Sequence, residues 1–251
     1  MNAEARFRYV LRLADTSLVL GQRLGEWVGH APALEEDLAL ANIALDLIGQ
    51  ARLLLSYAAE IEGRGRDEDA LAFLRDAPEF CNVSLAEQPN GDFGSTIVRQ
   101  FLIAAWQLEL YQALSGSSDA RLAEIAAKAV KETRYHLRFS AGWLVRLGDG
   151  TAESHERAQQ ALDALWRFTD ELLTPDALDE EMATAGIGPS LTQLRPRWEA
   201  RVGEVLQEAT LKRPPASRYQ WHGKRGVHTE HLGHMLAEMQ HLPRALRGAT
   251  W

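Results

Sequence analysis

The sequence has 251 residues, of which 46% are hydrophobic and 25% charged, a composition typical of a globular protein with a sizeable core. Its formal net charge of −8 argues against nucleic acid or an anionic membrane as a partner. The single cysteine, Cys81, leaves no internal disulfide and no thiolate metal cluster. The N-terminus lacks an apolar signal core and no long uncharged apolar run occurs, so we expect a cytoplasmic protein that does not enter a membrane.

Helical periodicity dominates the chain, and the alternation typical of strands is essentially absent. The pattern predicts four long helices, at about 5–28, 34–61, 95–114 and 120–147. A short acidic helix is predicted between the second and third of them, at about 68–75. Further helices are predicted at about 153–173, 197–209 and 229–246, with at most one short helix between 174 and 196. We therefore expect an all-α protein, with a four-helix bundle over about 5–147 and a helical elaboration over about 153–247, in one domain of 1–251. Ser95 or its neighbour is expected to cap the third long helix.

A long connection interrupts the helical pattern between 76 and 93. Pro78, Pro89 and the Asn90-Gly91 pair exclude one continuous helix there. Connections of this length carry functional residues more often than short turns do, so this segment is a candidate functional loop.

The second long helix holds polar residues in apolar surroundings. Between 38 and 49 it reads LALANIALDLIG, in which only Asn42 and Asp46 are polar. A helix that is apolar nearly all round is expected to be buried, and a buried carboxylate requires a partner. Since Asn42, Asp46 and Gln50 are spaced four residues apart, we expect them to form one polar stripe on an inward face.

Polar stripes also occur on the other long helices. Their residues are Gln22 and Glu26 on the first, Gln107 or Glu109 (of which at most one is expected to point inward) on the third, and Lys128, Glu132 and His136 on the fourth. Four long helices with inward polar stripes are the plan of di-iron carboxylate proteins, in which two of the helices each supply Glu-x-x-His. Here Gly49 stands three residues after Asp46, and Tyr135 three residues after Glu132, so both histidines are missing.

The missing histidines predict that this chain binds no metal. Our hypothesis is that a polar network occupies the place of the metal pair, formed by Glu26, Asn42, Asp46, Lys128, Glu132 and His136. The alternative is that these residues are ordinary pairs on solvated faces. For Glu26 a solvated face is as well supported as the network. For Asn42 and Asp46 the network is better supported, because their neighbours are apolar. For the stripe on the fourth helix both interpretations stay open.

Four longer segments carry a family resemblance. They read QRLGEWVGHAPALEEDLALANIALDLIGQAR, LAEQPNGDF, KETRYHLRFSAGWLVRLGDGT and GVHTEHLGHMLAEMQHL. Over nearly its whole length the chain resembles the C subunits of bacterial phenylacetyl-CoA monooxygenases, the ring 1,2-epoxidases of aerobic phenylacetate breakdown. The resemblance implies a ferritin-like fold and a non-catalytic structural subunit that pairs with and stabilises a catalytic A subunit.

The resemblance also implies where the cofactors and the substrate lie. The paralogous A subunit holds the di-iron centre and this chain holds no cofactor, while a reductase with flavin and iron–sulfur centres brings electrons from NADPH. Other subunits complete the complex, which activates dioxygen, and phenylacetyl-CoA is expected near the interface of A and C. By position in the family, the residues near the CoA ester are Glu79, Phe80, Cys81, Asn82, Glu180, Glu181 and Met182. A packed loop without substrate contact is the preferred interpretation of the first four.

The C-terminal region offers further candidates. A metal site is suggested by His228, His231, His234, Glu238 and His241, but the chain has no second Glu-x-x-His, so we expect an adventitious site at most. The segment RYQWHGKRG, with Arg218, Lys224 and Arg225, suits a phosphate or an acidic partner, and a solvated basic loop is preferred. A docking surface is one interpretation of Trp198, Trp221 and Trp251, and burial in the core is the preferred one.

The preferred hypothesis is therefore a non-catalytic subunit of a di-iron monooxygenase. One rival is an autonomous iron or manganese enzyme that uses Glu26, Asp46, Glu132 and His136. A second rival is a free-standing homodimeric binding protein, and a homodimer of the isolated subunit is also compatible with the preferred hypothesis.

Overall fold

The computed structural model describes residues 2–217 and 219–246, and over these residues the chain is all-α. The helices are α1 Ala3–Glu26, α2 Leu34–Glu62, α3 Glu68–Phe73, α4 Phe93–Leu114, α5 Ala120–Gly148, α6 Ala152–Trp166, α7 Thr169–Leu173, α8 Ala177–Thr184, α9 Leu191–Glu208, α10 Glu230–Met239 and α11 His241–Ala245. Two short 3-10 turns lie at Ala77–Glu79 and Gly223–Arg225, and an isolated β-bridge joins His222 to Val227. The predicted all-α class and its four long helices, α1, α2, α4 and α5, are confirmed.

Helix N-termini are set by short polar side chains that accept hydrogen bonds from free backbone N–H groups. At α4 the capping residue is Asp92, whose carboxylate accepts from the N–H of Ser95 at 2.8 Å. Ser95 therefore lies in the first turn, and its predicted capping role is wrong. At α5 Asp119 has the same function and accepts from the N–H of Leu122 at 3.1 Å.

Three helices differ from the predicted pattern. The helix predicted at 153–173 is interrupted after Trp166, where the Thr169 hydroxyl donates to the Trp166 carbonyl at 2.8 Å. The final helix is interrupted at Gln240, whose side chain donates to backbone carbonyl groups of the 72–75 segment. α9 begins at Leu191 and contains Pro196, which sequence rules place outside a helix.

The chain forms two compact units. The first unit contains residues 1–30, 35–89 and 222–251, and the second contains 31–34 and 90–221. α1, α3, α10, α11 and all but the first residue of α2 belong to the first unit, and α4 to α9 belong to the second. The four long helices are thus shared equally between the units, and one domain over 1–251 stays a prediction.

In the first unit, α1 and α2 pack closely through small residues. α1 is buried along most of its length. At Gly21 a Cβ atom would lie only 3.0 Å from Cδ1 of Ile48 and 3.3 Å from the carbonyl oxygen of Ala44. The absence of a side chain at Gly21 therefore sets the approach of the two helices. α2 is the one helix of the described residues long and apolar enough to cross a membrane, and helices of soluble cores meet the same criteria.

In the second unit, α4 is the central helix and packs against α5, α6 and α9. Phe101 and Ile103 on α4 are fully buried, as is most of that helix. Trp198 of α9 is 2% exposed, and its indole N–H donates to the Leu102 carbonyl at 3.2 Å. Burial with a satisfied N–H makes Trp198 a core residue, so the docking role considered for it is wrong.

Candidate functional site

The polar stripe predicted on α2 crosses from the solvent face to the core face. Asn42 is exposed, Asp46 is half-buried and Gln50 is 2% exposed. The cause is helix geometry, because four residues turn an α-helix by about 400°, so each step rotates the side chain by about 40°. The predicted burial is therefore wrong for Asn42 and correct for Gln50.

The stripe predicted on α5 behaves in the same way. Lys128 is exposed, Glu132 is half-buried and His136 is fully buried, with its ring 6.5 Å from the ring of Tyr135. The solvated-face alternative is thus correct for Lys128, while His136 belongs to the core of the second unit.

Glu26, the remaining member of the predicted network, interacts within its own helix. Its two carboxylate oxygens accept from Nη1 of Arg23 at 3.0 and 2.8 Å. The residue is exposed, whereas Arg23 is buried. This ion pair fixes the Arg23 side chain at the end of α1.

The residues present do not fit a di-iron centre. Gly49 and Tyr135, which replace the expected histidines, both lie on exposed faces, and a Cβ atom at Gly49 would meet no other atom within 4 Å. Within residues 2–217 and 219–246, no three or more His, Cys, Asp or Glu side chains form a group that suits a metal ion. The non-catalytic role of this chain stays a prediction.

The candidate substrate residues of the 76–93 connection belong largely to the interior of the first unit. Phe80 and Asn82 are fully buried, and the Arg75 guanidinium lies 4.1 Å above the Phe80 ring. Glu79 is exposed, and its carboxylate accepts from the backbone N–H of Asp76 at 2.7 Å. These contacts favour the packed-loop interpretation, and a substrate contact by these residues stays a prediction.

Cys81 belongs to this loop and contacts α1. Its backbone N–H donates to the Asp15 carboxylate at 2.9 Å. Burial, and secondarily the negative charge of Asp15, raises the pKa of the Cys81 thiol above its ordinary value. The thiol is therefore protonated at neutral pH and unsuited to nucleophilic chemistry.

The second group of candidate substrate residues lies on α8 in the second unit. Glu180 and Glu181 are exposed, whereas Met182 is fully buried. The carbonyl of Met182 also accepts from the N–H groups of Ile187 and Gly188 and so closes the C-terminus of α8. Met182 therefore has a packing role, and the two glutamates are available to solvent.

A buried hydrogen-bonded cluster, absent from the sequence predictions, is centred on Glu87. We call it the Glu87 cluster, and it comprises Asn82, Glu87, His228 and Thr229. One oxygen of the fully buried Glu87 carboxylate accepts from the Asn82 amide at 2.8 Å and faces Nδ1 of His228 at 2.7 Å. The other accepts from the backbone N–H and the hydroxyl of Thr229, at 2.6 and 2.8 Å. All four acceptor positions of the carboxylate are thus filled.

The Glu87 cluster fastens the C-terminal segment to the loop and to α1. Nε2 of His228 faces the carbonyl of Phe80 at 2.8 Å, and Arg23 donates to the carbonyls of Glu87 and His231 at 3.0 and 2.9 Å. A Cβ atom at Gly223 would approach the Asn82 carbonyl to 2.5 Å, so the segment lies directly on the loop. Glu87 of the motif LAEQPNGDF is thus in direct contact with His228 and Thr229 of the motif GVHTEHLGHM.

The C-terminal histidines and basic residues are only partly as predicted. His228 is engaged with Glu87, whereas His234 and His241 are exposed on α10 and α11. Lys224 is 6% exposed, so its assignment to a solvated basic loop is wrong, while Arg225 is exposed. Arg218 and Trp251, also named as candidates, lie outside the described residues.

A second buried interaction ties α1 to the segment after α3. The Arg75 guanidinium forms a bidentate ion pair with Asp15, and both side chains are at most 2% exposed. Arg75 also donates to the carbonyl of Glu79 at 2.9 Å. Asp15 was hidden in the sequence because it stands in the regular apolar pattern of the first helix, and its partner lies 60 residues further on.

Comparisons with known proteins agree over the whole chain. A family model described as phenylacetic acid catabolic protein matches residues 1–251. The C subunit of 1,2-phenylacetyl-CoA epoxidase from Escherichia coli (strain K12) is 58% identical over 243 residues, which cover 97% of this chain and 98% of that protein. The similarity therefore extends across both compact units.

Proposed function

The chain belongs to the phenylacetic acid catabolic protein family, and we propose that it is a non-catalytic structural subunit of a multicomponent phenylacetyl-CoA monooxygenase. In this role it pairs with a catalytic di-iron subunit and stabilises it for the 1,2-epoxidation of the aromatic ring. Its relative from Escherichia coli is a subunit of an epoxidase for this thioester, which supports the proposal.

The observation that carries the pairing role is an exposed apolar face on α2, which we call the α2 face. It comprises Leu38, Asn42, Leu45 and Gly49, which follow one another at intervals of four, three and four residues. Leu38 is 54% exposed and Leu45 is 69% exposed. Because full burial of a leucine stabilises by about 1.5–3 kcal/mol, covering the exposed parts of both side chains contributes about 2–4 kcal/mol to association.

The α2 face suits a helix of another subunit. Gly49 has open space above it, so a partner helix can approach the backbone closely at that point. Contiguous exposed apolar surface marks protein interfaces, and Leu38 and Leu45 lie two turns apart on the same face of α2. Since the described part of this chain offers no set of metal ligands, the oxidative chemistry is assigned to the partner.

The remaining assignments follow from this role. The di-iron centre lies in the catalytic partner, while flavin, iron–sulfur centres and NADPH serve the reductase, so this chain holds no cofactor of its own. Phenylacetyl-CoA binds near the interface of the two subunits. The complex is cytoplasmic, and neither nucleic acid nor a membrane is a partner.

Co-expression with the catalytic subunit tests the proposal. We expect the double variant Leu38→Asp, Leu45→Asp to lose co-purification, because two carboxylates would be buried in an apolar interface. The variant should keep the circular dichroism of the native chain, since both positions are exposed. The matched control is Leu242→Asp, because this leucine is 57% exposed and lies on α11 rather than on α2.

Retention of the partner by the α2 double variant would contradict the proposal, as would epoxidase activity of the isolated chain. A second copy of this chain is another candidate for the α2 face. Analytical ultracentrifugation of the isolated subunit separates the two cases. A homodimer that persists when the catalytic subunit is in excess would favour the homodimeric binding protein.

A further inference from the structure

A groove of about 440 Å³ lies among α4, α5 and α9 of the second unit. Leu108, Leu137 and Val205 provide apolar lining, and the charged lining residues are Arg134, Arg138, Arg201 and Glu204. Small-molecule sites in proteins commonly have volumes of about 300–1,000 Å³, with an apolar lining and a few polar groups. The groove has a volume in this range, and apolar and charged residues line it in equal numbers.

Arg134 and Arg138 lie one turn apart on α5 and are exposed. Over the described residues, neither guanidinium has a carboxylate partner, and Arg138 contacts the ring of Tyr135 at 5.6 Å. Two arginines at this spacing project in the same direction. Their donors are therefore available to a ligand in the groove.

Arg201, on α9, is held in place by a buried carboxylate of α4. Its Nε and Nη2 donate to Oε1 of Glu109 at 3.2 and 2.7 Å, and the Glu109 side chain is only 4% exposed. This interaction orients the guanidinium plane and leaves its Nη1 free, since that atom makes no other hydrogen bond within the described residues. A pre-oriented guanidinium loses less freedom when it binds an anion.

The charge around the groove is opposite to that of the whole chain. α5 contains six lysines and arginines and two glutamates, whereas the chain carries −8. Among the residues that line the groove, Glu204 is the single acid beside three arginines. The local charge therefore favours anions at the groove, although the chain as a whole is acidic.

We propose that this groove binds a small molecule that carries phosphate groups on a partly apolar body. The guanidinium groups of Arg134, Arg138 and Arg201 match phosphate oxygens in planar, charge-assisted hydrogen bonds. The leucine and valine side chains cover the body of the ligand. A free nucleoside diphosphate and the nucleotide end of a coenzyme A thioester share this chemistry, and the binding does not depend on the pairing proposed for the α2 face.

Isothermal titration calorimetry of the full chain at low ionic strength tests the inference with ADP, coenzyme A and inorganic pyrophosphate. We expect ADP and coenzyme A to bind saturably and more tightly than pyrophosphate, which lacks an apolar body. Arg134→Gln and Arg138→Gln should each weaken binding about tenfold, the loss of one charge-assisted hydrogen bond. Arg146→Gln, an exposed arginine of α5 outside the groove, is the matched control for net charge.

The three probes also identify the source of the ligand. Tighter binding of coenzyme A than of ADP assigns the groove to a thioester, and equal binding assigns it to a free nucleotide. Absence of saturable binding overturns the inference, as does an equal loss in Arg146→Gln. The double variant Arg134→Gln, Arg138→Gln provides a further check. If it binds all three probes as the native chain does but no longer binds the catalytic subunit, the groove is a protein interface and the inference is wrong.

Discussion

Removal of the Glu87 carboxylate should loosen the C-terminal segment from the first unit. In Glu87→Ala, the donors from Asn82, His228 and Thr229 lose a fully buried acceptor. Each buried donor left without a partner costs about 1–3 kcal/mol. Removal of one member of a buried ion pair, which Glu87 and His228 form when the imidazole is protonated, costs about 3–5 kcal/mol in total. We therefore expect the free energy of unfolding to fall by about 4 kcal/mol.

The isosteric variant Glu87→Gln should cost much less, about 1–2 kcal/mol. With the amide N–H₂ directed at His228, the ring can accept at Nδ1 and still donate from Nε2 to the Phe80 carbonyl. The Asn82 amide keeps its bond to the Val83 carbonyl but loses its acceptor at position 87, and this loss accounts for the remaining cost. The other oxygen, which serves Thr229, is unchanged in this orientation.

Urea unfolding followed by circular dichroism measures both changes in the free energy of unfolding. Hydrogen exchange at the Thr229 amide measures how often the C-terminal segment detaches from the loop. For a chain of this size, about 4 kcal/mol corresponds to a decrease in Tm of roughly 10 °C. Glu238→Ala, at an exposed position of α10, is the matched control and should be nearly neutral. An alanine variant that loses less than about 1 kcal/mol, or a glutamine variant as unstable as alanine, would refute the role assigned to the Glu87 carboxylate.

Two further predictions concern single titratable groups. Because burial raises the pKa of Cys81, its alkylation by iodoacetamide at about pH 8 should be slower in the folded chain than in urea; equal rates would contradict this placement. The hydrogen bond and charge of Arg66 hold the pKa of Glu62 below its ordinary value, so the pair stabilises the fold above the ordinary carboxyl pKa, and the effect is lost as pH falls through the lowered pKa. Arg66→Gln should therefore destabilise at neutral pH and have little effect in strong acid, as urea unfolding at the two pH values can measure.

The positions of the long helices could be predicted from the sequence because their signals are local. The predicted range of 34–61 compares with Leu34–Glu62 for α2, and 120–147 with Ala120–Gly148 for α5. Apolar periodicity, turn residues and glycines act over a few residues. Where a tertiary contact competes, as it does at Gln240 between α10 and α11, the local pattern predicted one helix and the structure has two.

The faces of these helices could not be derived in the same way. A spacing of four residues placed Asn42, Asp46 and Gln50 on one stripe, but the rotation of about 40° per step carries the stripe out of the core. Only the packing of the first unit decides which end is buried. For the same reason the exposure of Leu38 and Leu45 on the α2 face was not predicted.

The amino-acid order alone predicts the helical class, the bounds of the long helices, the two missing histidines at Gly49 and Tyr135, and the family resemblance. The bond of Glu87 to His228, which lies 141 residues further along the chain, and the ion pair of Arg75 with Asp15 became visible only in the folded chain. Pairings of this kind depend on how distant segments meet, and no local pattern records them. His228 resembles a metal ligand when only its sequence neighbours are considered. In the folded chain it is instead a structural partner of the buried Glu87 carboxylate.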